Sequence, residues 1–170
     1  FFFEASLTPV NDTFNSMPFM GWPGQEEYVE IWHQLHNTFP VMAEELSTLG
    51  VESYALYAGT PHQMGFTDEV VRTPDDLMGK TIHVFGDDPF ADVLNMAGAT
   101  PVMLGVGEMY SSFEAGMVEG VRGPSGFTEG TGITKFLEYI TIFGDGGYDI
   151  GVNMLIINPD FYNDLPEDIQ

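Results

Sequence analysis

The spacing of apolar positions divides the chain into alternating helical and extended segments. Between Glu26 and Leu49 apolar residues recur at three- and four-residue intervals, which predicts helix, and Pro40 divides this stretch into two helices. Beyond Leu49, short apolar runs predict strands, and helical spacing returns between them. Strands are predicted in VESYALYA, HQMGFT, TIHVF, TPVML, YITIF and YDIGVNMLIIN, and helices in TPDDLMG, DPFADVLNMAG, GEMYSSFEAGMVEG and ITKFLEY.

Capping residues predict where several helices begin and end. Thr38 is expected to cap the second helix, and Gly50 and Gly98 are expected to end helices. Gly120 is expected to end the helix GEMYSSFEAGMVEG, which would place Arg122 in a turn before a glycine-rich loop, GPSGFTEGTG.

A capping-box pattern stands close to the last residue. Asp164 is followed by Glu167, with Pro166 at an early helical position, and this predicts a helix start that has only a few residues after it. We therefore expect the sequence to be a fragment.

Strands that alternate with helices predict an α/β fold with a mixed, mainly parallel sheet. In such folds ligands bind beyond the carboxyl ends of the strands. The loops to examine are therefore 57–62, 85–88, 104–107 and 121–126.

The net charge of −22, from 26 acidic and 4 basic residues, excludes several partners. Nucleic acid and anionic membrane surfaces are not expected, because few basic groups are available to neutralise phosphates. Acids spread through a normally hydrophobic chain indicate a protein from a high-salt environment, with an ordinary acidic secreted protein as the alternative. The sequence contains no run of about 20 apolar residues, so no membrane-spanning helix is predicted. It contains no cysteine, which excludes disulfides.

Catalytic and metal-binding patterns are weak. Gly79-Lys80-Thr81 lacks the earlier glycine of a phosphate-binding loop, since position 74 is proline. His33 and His36 could contribute to a zinc site, but a third ligand is missing from the pattern, so a solvated helix face is favoured. No nucleophile motif is found. We predict no enzymatic activity, no cofactor and no metal.

Arg122 and His83 are the stronger candidates for binding chemistry. A guanidinium binds a carboxylate through two parallel hydrogen bonds, and Arg122 lies at the predicted ligand edge. His83 alternates with Ile82 and Val84 on a short strand. The alternatives are a surface ion pair for Arg122 and a satisfied core position for His83.

Three segments together, VRTPDDLMGKTIHV, MAGATPVMLGVGEMYSSFEAGMVEGVRGP and NPDFYNDLPEDIQ, resemble the dicarboxylate-binding type of solute-binding subunit of tripartite ATP-independent periplasmic (TRAP) transporters. SMPFMGW and the helix ending near Leu49 resemble the N-terminal half of that family. The resemblance implies a two-lobe binding protein (type II-like) from which a first strand and a C-terminal region are missing. It assigns 1–60 to lobe I, 61–147 to lobe II and 148–170 to the return to lobe I.

The resemblance also implies a function. The protein would be extracytoplasmic, would enclose a small organic acid in an inter-lobe cleft as the lobes close, and would deliver it to TRAP membrane subunits without inserting into the membrane. The alternative is a ligand-sensing domain of a membrane receptor, whose flanking sequence would include transmembrane segments.

This sequence departs from the family pattern at two positions. The arginine that the family uses to grip the ligand carboxylate is replaced by His83, and the D-G-x-E-N motif is replaced by Glu119-Gly120-Val121-Arg122-Gly123. We expect Arg122 to be the anion anchor, alone or shared with His83. The predicted ligand-binding residues are Arg122, His83, Tyr57, Phe19, Trp22, Val106, Tyr110, Gly123 and Tyr148.

Overall fold

The computed structural model describes residues 7–15, 17–85 and 90–169. These residues form two compact units. Unit 1 contains the described residues up to Met17, those of Pro23–Gly59, and those from Ile150 onward; unit 2 contains Pro18–Trp22 and the described part of Thr60–Asp149.

Unit 1 opens with three helices and a strand: α1 (Pro9–Asn15), α2 (Gln25–Thr38), α3 (Pro40–Thr48) and β1 (Glu52–Ala58). As predicted, Pro40 separates α2 from α3, because a proline has no N–H to donate and is tolerated only in the first turn of a helix. The N-cap of α3 is Phe39, not the expected Thr38, which is the last residue of α2.

Helix α1, which the sequence pattern did not predict, is held by tertiary hydrogen bonds. The backbone N–H groups of Val10 and Asn11 donate to the Glu45 carboxylate of α3, and the buried Asn11 amide donates to the Met42 carbonyl. A carboxylate that accepts from the first N–H groups of a helix stabilises it as a local cap would.

Unit 2 consists of a five-stranded sheet with helices between its strands. The strands and helices are β2 (His62–Phe66), β3 (Thr81–Val84), α4 (Phe90–Met96), β4 (Thr100–Met103), α5 (Val106–Glu114), β5 (Gly120–Pro124), α6 (Ser125–Gly130) and β6 (Tyr139–Thr141), with 3-10 turns at Pro74–Leu77 and Ile133–Phe136.

The strand order of this sheet is β4-β3-β5-β2-β6. Strands β4, β3 and β5 are parallel, whereas β2 is antiparallel to both β5 and β6. The sheet is mixed, as expected, but only half of its four pairings are parallel.

The chain then returns to unit 1 through β7 (Val152–Ile157), which pairs with β1 in an antiparallel ladder, and continues into α7 (Pro159–Asn163). Asn158 caps α7 by accepting a hydrogen bond from the Phe161 N–H at 3.1 Å. The predicted helix start at Asp164 and Glu167 is wrong, because Asp164 is the C-cap of α7.

Two boundaries predicted in unit 2 are also wrong. Helix α5 ends at Glu114 rather than at Gly120, because Gly116 takes the left-handed conformation (φ 64°) that ends helices. Gly120 instead begins β5. The expected loop GPSGFTEGTG contains the short helix α6.

The two faces of the unit 2 sheet carry separate hydrophobic clusters. Side chains alternate across a strand, so paired residues share a face. Arg122 pairs with Met64, and we call their side of the sheet the Arg122 face. His83 pairs with Val121, and we call their side the His83 face. The cluster on the Arg122 face contains Met64, Phe66, Ile82, Val84, Phe90, Leu94 and Tyr148, and the cluster on the His83 face contains Met109, Phe113, Val118, Val121 and Ile133.

Among the described residues, no helix is both long enough and apolar enough to cross a bilayer.

Candidate ligand-binding site

Arg122 lies in the middle of strand β5, and not in a turn as its neighbouring glycines predicted. Its backbone pairs with Met64 of β2, and only 7 % of the residue is exposed. A buried guanidinium keeps its charge, so it needs compensating groups nearby. This position excludes the simple surface ion pair considered from the sequence.

The Arg122 guanidinium is surrounded by polar and aromatic groups of unit 2. Its Nη1 lies 3.1 Å from His62 Nδ1, and its Nη2 lies 3.8 Å from Asp149 Oδ2. Its central carbon lies 5.5 Å from the Phe90 ring centre and 5.6 Å from that of Tyr148. The two rings attract the cation through their π faces and restrict its orientation.

His62 and Asp149 are joined through backbone as well as side chains. The His62 N–H donates to the Asp149 carbonyl at 2.8 Å, and His62 Nδ1 lies 3.1 Å from Asp149 Oδ2. Gly147 permits this pairing, since it has φ 68° and a Cβ there would overlap the His62 backbone. The chain at 147–149 is thereby fixed beside the start of β2.

The side-chain contacts of His62 compete with each other. Nδ1 of a neutral imidazole either carries a hydrogen and donates to Asp149, or lacks it and accepts from Arg122. The cluster of Arg122, His62 and Asp149 therefore has alternative hydrogen-bonding states. Asp149 Oδ1 is buried and accepts no hydrogen bond from the described residues.

Phe19 contributes an aromatic ring to the same part of unit 2. Its N–H donates to the Tyr148 carbonyl at 2.6 Å, and its ring centre lies 5.8–5.9 Å from those of Phe90, Phe143 and Tyr148. It has φ 60°, which is unusual for a residue with a bulky side chain, and 56 % of it is exposed. Such strain is found preferentially at functional sites.

His83 does not lie beside Arg122. It pairs with Val121, the residue before Arg122, so the two side chains lie on opposite faces of the sheet. His83 Nε2 lies 3.2 Å from the Leu104 carbonyl, and its ring meets the Phe85 ring edge-on at 4.7 Å. The expectation that His83 and Arg122 share one anchor is therefore corrected.

Burial decides the charge of His83. The residue has no exposed surface, and desolvation lowers the pKa of His83 despite the opposing hydrogen bond to Leu104. Its Nδ1 has no hydrogen-bond partner among the described residues. His83 is thus buried and neutral, as in the core alternative considered from the sequence, but only one of its two nitrogens is hydrogen-bonded in the part of the chain that the structure describes.

The other predicted residues are dispersed. Gly123 follows Arg122 in β5, where a Cβ would come within 2.7 Å of the Phe85 ring. Val106 and Tyr110 lie on α5, where Tyr110 contacts Lys135 and the Phe136 ring. Tyr57 is exposed on β1 of unit 1, and Trp22 is half-buried in unit 2.

Three predicted residues, Arg122, Tyr148 and Phe19, converge in unit 2 with three that the sequence reasoning missed. The missed residues are His62, Phe90 and Asp149. Signals existed for two of them: His62 ends one of the loops considered from the sequence, and Asp149 is the one acid in the strand-like run YDIGVNMLII.

No metal site accompanies this cluster in the described ranges. No group of three or more His, Asp or Glu residues there could hold a metal ion. His36, considered with His33 for zinc, has its pKa lowered by burial and by the neighbouring His33.

Comparison with known proteins gives one family repeatedly. The ectoine-binding periplasmic protein TeaA of Halomonas elongata is 25 % identical over 171 residues, covering 99 % of this chain and 48 % of TeaA. A high-resolution structure of the ectoine-binding protein of the TeaABC TRAP transporter of Halomonas elongata superposes with a TM-score of 0.78 at 22 % identity, over 99 % of this chain and 53 % of the other. The structure of a TRAP solute-binding protein of Chromohalobacter salexigens with bound D-glucuronate superposes with a TM-score of 0.79 at 19 % identity, over 96 % of this chain and 52 % of the other.

The chain spans about half the length of the relatives that it matches. The structural likenesses place its fold among the TRAP periplasmic binding proteins. The protein-family model named DctP, which describes bacterial extracellular solute-binding proteins of family 7, matches residues 11–170 of this chain. The resemblance seen in the sequence motifs is confirmed, and the chain belongs to the bacterial extracellular solute-binding protein family 7.

Proposed function

We propose that the protein is the extracytoplasmic solute-binding subunit of a TRAP-type transporter, which captures a small organic acid and delivers it to membrane subunits. Membership of a family of extracellular solute-binding proteins supports this. Relatives named for binding ectoine and a C4-dicarboxylate, and structures with bound D-glucuronate and L-malate, support an organic acid as the ligand. In this proposal the protein performs no chemical reaction.

Arg122 is the proposed carboxylate anchor, and its buried, ring-flanked position is the observation that carries the proposal. A guanidinium presents five N–H donors in a planar fork that matches a carboxylate. At low dielectric the attraction is stronger than at the surface. The rings of Phe90 and Tyr148 restrict the cation before ligand binds, which reduces the entropy cost of binding.

The aromatic residues around Arg122 are the proposed apolar wall of the site. Phe19, Phe90 and Tyr148 lie within ring-contact distance of one another. Binding sites for small molecules combine apolar surface with a few placed polar groups. Ligand contributions also stay predictions for Tyr57, Trp22, Val106, Tyr110 and Gly123. The same holds for the lobe boundaries 1–60, 61–147 and 148–170 and for closure of the lobes around the ligand.

A thermal-shift screen of small organic acids tests the proposal. We expect at least one acid to raise the melting temperature of the intact protein, and Arg122→Lys to weaken its binding at least about tenfold by removing the two-pronged contact. Arg72→Ala is the matched control, because Arg72 is an exposed arginine of the same unit. Equal loss in both variants, or binding unchanged by Arg122→Lys, would contradict the assignment of Arg122.

The acidic surface adds a salt dependence to the same experiment. With a net charge of −22, the protein repels an anion at long range at low salt. At about 1 M salt the Debye length falls to about 3 Å, so the contact at Arg122 decides binding. We expect affinity for an anionic ligand to rise or stay level as NaCl is raised from 0.1 to 1 M. A steady fall would contradict this.

A further inference from the structure

We propose that Asp149 is a specificity residue that selects the charge of the ligand. It would disfavour plain anions and favour small molecules that carry a carboxylate together with a positively charged N–H group. This inference rests on the proposed function, because it concerns a ligand whose carboxylate binds Arg122.

The carboxylate of Asp149 and the guanidinium of Arg122 lie close together. Asp149 Oδ2 lies 3.8 Å from Arg122 Nη2. A ligand oxygen bonded to that nitrogen would lie within about 7 Å of Asp149 Oδ2, given an ordinary N–O hydrogen bond. Asp149 therefore stands close enough to repel any carboxylate that Arg122 attracts.

Both charged groups are buried. The side chains of Arg122 and Asp149 are only 9 % and 8 % exposed. Water and salt screen such a pair much less than they screen surface charges. A ligand with only negative charge would thus meet a guanidinium whose attraction Asp149 has already partly cancelled.

One carboxylate oxygen of Asp149 is left without a donor among the described residues. Its Oδ1 is buried and accepts no hydrogen bond within the described part of the chain. A buried carboxylate oxygen without a donor is costly, and a donated hydrogen bond from a charged nitrogen would remove that cost. A cationic N–H group on the ligand supplies both the donor and the opposite charge.

His62 does not supply that second donor. Its Nδ1 approaches Oδ2, not Oδ1, and the same nitrogen also lies 3.1 Å from Arg122 Nη1. The competing reading is that Asp149 serves only as the counter-ion of Arg122. In that case its removal would change stability and overall affinity, but not the preference between ligands of different charge.

The experiment measures charge preference with matched probes. L-Proline is compared with (S)-tetrahydrofuran-2-carboxylate, β-alanine with propionate, and 4-aminobutyrate with butyrate; each pair differs in the charged nitrogen. Dissociation constants are measured by calorimetry or thermal shift on the intact protein at 1 M NaCl. The proteins are the wild type, Asp149→Asn, and Asp145→Asn, which removes the same charge from an exposed turn residue. Asp149→Ser is the second variant should Asp149→Asn not fold.

The expected result is at least one zwitterion that binds the wild type about tenfold or more tightly than its anionic counterpart. Asp149→Asn should bring that ratio close to one, and Asp145→Asn should leave it unchanged. A ratio unaffected by Asp149→Asn, or a wild type that prefers the anions, would overturn the inference. If anions still bind in an Arg122-dependent manner, only the role of Asp149 fails. If no small acid of either kind binds, the proposed function fails with it.

Discussion

Arg122 and His83 lie at neighbouring positions on opposite faces of the unit 2 sheet, and their surroundings differ sharply. On one face, buried Arg122 is accompanied by His62, Asp149 and two aromatic rings. On the other, buried His83 has one contact with a backbone carbonyl, and burial lowers the pKa of His83. A guanidinium stays protonated in proteins, so its burial requires counter-groups nearby, whereas a buried imidazole can lose its proton instead.

The contrast between the two residues concerns the cost of keeping each of them buried. His83 is neutral when its proton is lost, so its Nδ1, unpaired among the described residues, carries only the cost of one buried neutral polar atom. A buried guanidinium beside a buried carboxylate, with an oxygen that lacks a donor, is costly to maintain. This cost is the reason for our proposal that a ligand completes the cluster.

The largest expected effect comes from breaking the charge cluster from one side. Arg122→Met should lower the free energy of unfolding by about 3–5 kcal/mol, because it leaves Asp149 as a buried charge without its cation. Adding Asp149→Asn should recover part of that loss. Urea unfolding of the two single variants and the double variant measures the coupling. Strictly additive effects would mean that the two groups do not interact.

Gly147 tests how the cluster is held together. Gly147→Ala should cost about 3 kcal/mol, because its Cβ would overlap the His62 backbone and because φ 68° disfavours alanine. Gly144→Ala is the matched control, since Gly144 also has positive φ (87°) but no atoms where its Cβ would lie. Thermal unfolding should show a clearly larger loss at position 147. Equal losses would show that the backbone conformation alone matters.

The neutral histidine predicts a dependence on pH. Because the pKa of His83 is lower in the folded state than in the unfolded chain, His83 supports the fold above about pH 6.5. That contribution is lost as pH falls towards the folded-state value, at no more than about 1.4 kcal/mol per pH unit. His83→Leu should therefore reduce the loss of unfolding free energy between pH 7 and pH 5.

Urea titrations at both pH values measure this effect. His33→Gln is the control, because it removes an exposed histidine from α2 of unit 1. A wild type and a His83→Leu variant with the same pH dependence would contradict the assignment of His83 as a buried neutral group.

The smallest expected effect concerns the strain at Phe19. Phe19→Ala and Phe19→Gly both remove the ring from its contacts with Phe90, Phe143 and Tyr148. Only glycine accepts φ 60° without cost, so Phe19→Gly should be more stable than Phe19→Ala by about 1 kcal/mol. Chemical unfolding of both variants measures this difference in unfolding free energy. A more stable alanine variant would mean that this backbone relaxes when the ring is removed.

Local patterns in the sequence predicted most helices and strands but missed parts of the site. Helical spacing and Pro40 predicted α2 and α3, and apolar runs predicted β1 to β4. The predicted end of α5 lies too far along the chain, because the sequence alone does not show whether Gly116 or Gly120 ends the helix. That error put Arg122 in a turn rather than in β5.

The partners of Arg122 could not be read from local pattern. His62 is 60 residues away along the chain, and Asp149 is 87 residues from His62. Only the antiparallel pairing of β2 with β5, and the bridge between His62 and Asp149, bring the three together. Spacing in a single sequence carries no information on contacts of that range.

Motifs and apolar spacing were enough to identify the family, the alternation of helices and strands, and Arg122 as a candidate in a chain with few basic residues. The face of the sheet that Arg122 occupies, and the groups around it, became visible only in the folded chain. Side chains alternate with a period of two along a strand, so a register shift of one residue would exchange Arg122 and Val121 between the two faces. The register depends on pairing between distant strands, so the location of a buried charge is a property of the assembled sheet.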